Sequence, residues 1–203
     1  MANQKNPTAL LMRRMKEAQK GVGVFASLMV KFFSDNFGKT TLPKRVADFA
    51  IYDQLAAVGN TVITFFSGTY TAARSNFPGG SFTLPDSEHA LITGIRLYQG
   101  AAASITATLW TPGLSTDAAA LNGLLNIRIN GETVITQLPL ALFQPGQVAN
   151  GGTNEDVGYY YFVEPLVLLG QNSIEAQITF PAAPATANYN LRFELHGVRF
   201  IGG

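Results

Sequence analysis

The ten residues Asn126-Ile127-Arg128-Ile129-Asn130-Gly131-Glu132-Thr133-Val134-Ile135 read as two strands joined by a two-residue turn. A type I′ turn needs positive φ at both central positions, which Asn followed by Gly supplies at little steric cost, and its twist matches that of the strands it joins. Outward from this hairpin, runs rich in β-branched and aromatic residues recur at Thr61 to Phe66, Ala90 to Tyr98, Ser104 to Trp110, Leu125 to Asn130, Glu132 to Thr136, Tyr159 to Val163, Ser173 to Phe180 and Leu191 to Ile201, with a weaker one at Ser81 to Leu84. A short helix interrupts them at Thr116 to Leu124, where Thr116 or Asp117 caps an Ala-rich turn. Turn-rich stretches around Pro78-Gly79-Gly80, Pro145 to Gly158 and Pro181 to Asn188 are loops by composition.

Eight or nine short apolar strands have few ways to bury one face each other than in two packed antiparallel sheets. The long loops on such a scaffold are typical of jelly rolls. The expected fold is therefore mainly β: an antiparallel β-sandwich of jelly-roll type over 59–203, preceded by a basic, partly helical N-terminal arm over 1–58. Two distant strands share a local pattern, Leu91-Ile92-Thr93-Gly94-Ile95-Arg96-Leu97-Tyr98 and Glu194-Leu195-His196-Gly197-Val198-Arg199-Phe200-Ile201. A glycine inside a strand marks a bulge or a close backbone approach, so each strand is expected to bend there.

The arm reads as three helices. Thr8 caps the first, which runs through Leu10, Leu11, Met15 and Ala18, with Arg13, Arg14, Lys16 and Lys20 around a narrow apolar face. Phe25, Leu28, Met29, Phe32 and Phe33 follow the three-and-four spacing of one helical face, with Gly38 as a stop. The third is expected to begin near Thr41 and Pro43 and to end at Gly59, carrying Val46, Phe49, Ala50 and Leu55 inward. Such apolar stripes serve either as core contacts with the β domain or as a subunit or membrane-surface contact.

Charged residues are 13% of the 203-residue chain and hydrophobic ones 47%, against about 25% charged in an average soluble domain. A surface so neutral fits one largely covered by neighbours. It also fits a neutral secreted β domain. The net charge of +1 hides an asymmetry: residues 1–50 hold nine basic and three acidic residues, a net +6, whereas the remainder holds five arginines, no lysine and ten acids, a net −5. Such a split points to different partners for the two parts. Without cysteine the chain has no disulfide, thiolate nucleophile or zinc-thiolate site. Its long uncharged stretches, such as Gln54 to Ala73, alternate like strands, and no transmembrane helix or signal peptide is expected.

Little in the sequence points to catalysis. The two histidines, His89 and His196, lie in strand-like runs; His89 and its neighbour Glu88 point to opposite faces of a strand. No nucleophile elbow, zinc-protease helix, phosphate loop or dinucleotide fingerprint is present. Neither a catalytic residue nor a cofactor is expected. Asn150-Gly151-Gly152-Thr153-Asn154-Glu155-Asp156 carries enough side-chain oxygens to consider Ca²⁺, and Asp86 with Glu88 forms a second acidic pair, but neither has a metal-loop spacing and no metal is expected. In Tyr159-Tyr160-Tyr161-Phe162 two rings should point inward and two outward, where they suit a sugar, a base or a subunit contact.

A basic helical arm followed by a low-charge β domain ending at Gly197-Val198-Arg199-Phe200-Ile201-Gly202-Gly203 resembles the single jelly-roll capsid proteins of small viruses and bacteriophages. The resemblance lies in the order of elements. It implies a virion structural protein that assembles with copies of itself, with other virion proteins and packaged nucleic acid as further partners. Arg13, Arg14, Lys16 and Lys20 would then contact nucleic acid or neighbouring subunits, and Phe25, Leu28, Met29, Phe32 and Phe33 a subunit. The competing expectations are a glycan- or receptor-binding β-sandwich, using the outward tyrosines and the 151–158 loop, and a carboxylate hydrolase.

Overall fold

The computed structural model describes residues 34–35, 45–78, 81–114, 117–144 and 157–202. Their elements in order are β1 (Arg45–Ala56), β2 (Val62–Phe65), β3 (Glu88–Ala101), β4 (Thr111–Pro112), the one-turn helix α1 (Ala118–Leu121), β5 (Leu124–Ile129), β6 (Glu132–Pro139), β7 (Tyr159–Leu168), β8 (Ile174–Thr179) and β9 (Tyr189–Ile201). One sheet has the order β1-β9-β3-β4, with β7 also paired to β3, and the other β2-β8-β5-β6. Every pairing is antiparallel. Two antiparallel sheets thus enclose one core in a sandwich, centred on Phe65, Ile92, Ile95, Leu97, Ile127, Ile178, Leu191, Phe193 and Leu195.

Apart from the two-residue β4, four of the pairings are nested, β5 with β6, β3 with β7, β2 with β8 and β1 with β9, and those of β3 with β9 and β5 with β8 cross between them. The apex is the Asn130-Gly131 turn, where both residues have positive φ, 51° and 81°. The chain therefore runs as one long antiparallel ribbon folded across itself, and the hairpin read from the sequence is its tip.

The two glycine-containing patterns prove to be partners. β3 and β9 lie side by side, Ile92 opposite Gly197 and Gly94 opposite His196, with a register shift between Ile92 and Gly94. Thr93 is the extra residue of a bulge, and Gly197 lets the Leu91 carbonyl approach where a side chain would otherwise stand.

Three expectations need correction. The helix expected from Thr41 to Gly59 is strand β1 over Arg45–Ala56, paired with β9 along its whole length. Its apolar residues satisfy either period, and twelve residues of pairing beside β9 outweigh intrinsic helix preference. Residues 45–56 of the segment read as arm are accordingly part of the sandwich. The strand expected at Ser104 to Trp110 is a 3₁₀ turn, Ile105–Ala107, followed by β4. This loop is drawn back onto the end of β9 by the Asn190 amide, which donates to the Ala102 carbonyl (2.9 Å) and to Thr108 Oγ1 (3.0 Å). Ser81 to Leu84 contributes only the isolated bridge of Thr83 with Ser173.

Two carboxylates fasten connections to the sheets. Asp117 caps α1, its Oδ1 accepting from the Ala119 and Ala120 amides, while Oδ2 accepts from the Ala185 and Thr186 amides and the Thr186 hydroxyl. Burial pushes its pKa up, but these bonds, led by those from Thr186, hold it below the usual carboxylate range. Asp53, fully buried in β1, accepts from the Phe66 and Gln54 amides and from Arg74 through both Nε and a terminal nitrogen.

Candidate interaction surface

Inward-facing Phe49 and Ile51 of β1, Ile95 and Leu97 of β3 and Leu191, Phe193 and Leu195 of β9 fix the opposite parity of each strand as the outer face of the first sheet. On one half of that face, Arg192 lies over the Tyr52 ring, its guanidinium carbon 3.7 Å from the centroid, and 5.6 Å from that of Tyr98. Arg96 sits 5.1 Å from the Tyr98 centroid and donates through Nε to the Val157 carbonyl at 3.0 Å. Glu194 binds Arg192 on one side and His196 Nε2, at 3.0 Å, on the other. Tyr159 closes the cluster with centroids 5.2 Å from His196 and 4.2 Å from Tyr161.

Burial raises the Glu194 carboxyl, but the hydrogen bond with His196, the charge of Arg192 and the Tyr98 hydroxyl outweigh it, so its pKa lies below the usual range. Burial, reinforced by nearby negative charge, raises Tyr98 and Tyr159. Glu194 is thus an anion among donors. A depressed folded-state pKa contributes stability that is present above the unfolded value and lost as pH falls through the folded one. Glu194→Gln is expected to flatten the acid limb of the stability curve, so that the wild-type advantage in urea midpoint at about pH 6 shrinks steadily towards about pH 3. An equal gap at both ends would show that the carboxylate is not ionised in the fold.

The cluster arises from spacing that is visible once the strand is known: Arg192, Glu194 and His196 are two apart on β9, hence on one face. Sequence reading singled out His196 but missed Glu194, whose carboxylate orients it. His89 lies elsewhere; its Nδ1 accepts from the Gly170 amide at 2.9 Å. The Tyr159 run divides as expected, with Tyr160 and Phe162 packed on the core and Tyr159 and Tyr161 facing out. Glu88 pairs with Arg199 at 3.2 Å. Among the described residues no group of three or more His, Asp or Glu is placed to hold a metal ion. No described helix is long and apolar enough to cross a membrane.

Arg13, Arg14, Lys16, Lys20, Phe25, Leu28, Met29, Phe32 and Phe33 lie outside the described residues, as does the 151–156 loop. A second feature, on the edge of the first sheet, is a four-residue bulge in β7 between Tyr161 and Leu166, which leaves Val163 98% exposed. An open depression of about 380 Å³ near the ribbon tip is lined by Phe66, Phe82, Thr83, Ser173 and the Arg128–Glu175 ion pair. No family model matches the chain, and no curated protein matches its sequence.

Proposed function

We propose that the sandwich is a jelly roll and that the protein is a virion structural subunit, a capsid protein that assembles with copies of itself through its β domain and N-terminal segment. The observation that supports this reading best is the strand order, β1-β9-β3 with β7 also on β3 in one sheet and β2-β8-β5-β6 in the other, which is what a ribbon wrapped into two Greek keys would give. Fold alone does not give function. The assembly reading is supported in addition by the low charge, the opposite signs of the two parts and the exposed apolar side chains Val163, Leu109 and Leu142.

The sheet edges direct such assembly away from strand addition. Asn76 and Ser75 occupy the β1 edge, where Asn76 donates to the Ala50 carbonyl and accepts from the Tyr52 amide while Ser75 donates to the Tyr52 carbonyl. β6 carries two register shifts against β5, and β7 its four-residue bulge. Edges blunted in this way resist edge-to-edge pairing, leaving loops, faces and the N-terminal segment as contacts.

Light scattering on the purified full chain tests the reading: particles of many subunits are expected, and a persistent monomer or trimer would sink it in favour of the glycan-binding sandwich, for which the outward Tyr161 is the best observation. Replacing Arg13, Arg14, Lys16 and Lys20 together by Gln then separates the partners of the arm. Contact with a genome predicts intact particles lacking nucleic acid, and contact with acidic neighbours predicts particles that dissociate at lower salt than the wild type.

A further inference from the structure

The outer face of the first sheet has a second half unlike the aromatic and charged one. Beyond the Thr93 bulge, which inverts the parity of β3, the strand register aligns Val46, Phe200 and His89 in one row and Asp48, Val198 and Leu91 in the next. These residues share the face of Arg192, Glu194 and His196, because β9 keeps its alternation through residue 200. Yet Leu91, Val198 and Phe200 are 3%, 0% and 1% exposed and none belongs to the core between the sheets. On the same face the side chains of Arg192 and His196 remain 24% and 27% exposed. Neighbouring strands shield a side chain laterally, and only a layer stacked on the sheet removes an outward Phe and Val from solvent altogether.

We infer that the segment preceding Arg45 is that layer, seating its Phe25, Leu28, Met29, Phe32 and Phe33 stripe on Leu91, Val198 and Phe200 of its own subunit. The place where the segment joins the sheet favours it: Arg45 pairs with Ile201 and Val46 with Phe200, so the chain enters β1 at the covered end. Eleven residues separate Phe33 from Arg45, an extended reach of roughly 35–40 Å, ample to fold back over the three strands. The chemistry agrees, since five large apolar side chains at the spacing of one helical face call for an apolar seat of this kind. The competing stretch, 145–156, offers only Val148 and Ala149 beyond polar residues, Gly and Pro, and its C-terminal end leads to Tyr159, opposite Arg96 on the charged half.

This goes beyond the shell reading and does not depend on it. It assigns the apolar stripe to the subunit's own sheet as an anchor and leaves Arg13, Arg14, Lys16 and Lys20, N-terminal to the anchor, as the part able to reach other molecules.

The chain has no cysteine, so Val198→Cys introduces a single thiol whose labelling rate reports cover over the face. In dilute, non-assembled full-length protein the thiol should be protected, independently of protein concentration. Adding Phe32→Ser and Phe33→Ser, which change none of the described core side chains, should speed labelling roughly 100-fold, as expected for removing two phenyl rings from a local closure. Unchanged labelling after these substitutions would overturn the seat, and protection that fades on dilution would overturn its intramolecular character by placing a neighbour's stripe there. Both readouts come from single subunits, so they stay readable if no shell ever forms, and failure of the shell is detected separately by scattering.

Discussion

Gly197→Ala is expected to be among the most damaging single substitutions in this protein, lowering stability by about 3 kcal/mol or more, because the clash is with backbone in the middle of a sheet. A Cβ at this position would fall on the Leu91 carbonyl oxygen and 2.9 Å from the Ile92 Cα, neither of which can swing aside as a side-chain tip would. β9 is also the strand that joins β1 to β3, so displacing it near Gly197 disturbs both ladders and the Thr93 bulge together. Gly131 makes a useful control. A Cβ there meets nothing within 4 Å, and only its φ of 81° resists substitution, so Gly131→Ala should cost about 1 kcal/mol. Urea denaturation of the two variants measures the contrast, and equal losses would mean that the close approach of β9 to β3 relaxes freely.

Asp53→Ala should cost about 3–5 kcal/mol by the same measurement, since it takes the carboxylate from the Arg74 guanidinium and leaves the buried Phe66 amide without its acceptor, while the Gln54 amide keeps the Arg74 carbonyl. The carboxylate meets Arg74 at 2.7 and 2.6 Å, the Phe66 amide at 2.6 Å and the Gln54 amide at 3.0 Å, and it has no exposure at all. Burial pushes its pKa above the ordinary value, against the pull of Arg74 and the amides. The ion pair is therefore a fastening for the 66–77 connection more than a net source of stability. Adding Arg74→Met should recover only part of the loss, because the Phe66 amide remains unsatisfied. Full recovery would show that the charge alone was at stake. The residues held by this fastening include Ser75 and Asn76, which cover the β1 edge. A second expected sign of the loosened connection is a greater tendency of Asp53→Ala to aggregate through β1.

The place of β1 in the sheet also constrains how the N-terminal segment is studied. Truncation at residue 59 would remove a strand of twelve residues from the sandwich along with the arm. A loss of assembly in such a protein would report misfolding. Point substitutions at Arg13, Arg14, Lys16 and Lys20 or at Phe32 and Phe33 leave the strand intact.

By itself the sequence determined what rests on near neighbours. Asn130-Gly131 specified its turn because both residues tolerate positive φ, and Asp117 specified its cap because a carboxylate at that position reaches the amides two and three residues on. β3, β5, β8 and β9 were legible because β-branched and aromatic residues cluster between turn signals, and the Tyr159 to Phe162 alternation sorted its own rings. The sign split of +6 and −5 needed only counting. What required residues far apart in the chain was decided by the tertiary structure alone. Arg45–Ala56 became a strand because β9, about 145 residues away, offered an edge, an interaction that outweighs local helix preference. Ser104 to Trp110 lost its strand because it had no edge to pair with beyond the two residues of β4. Arg192, Glu194, His196, Tyr52 and Tyr98 became one cluster only when β1, β9 and β3 lay side by side, and burial of Leu91, Val198 and Phe200 on the outward face marks a covering layer that no periodicity within β3 or β9 could specify, because alternation gives each strand two faces and only packing decides which of them meets water.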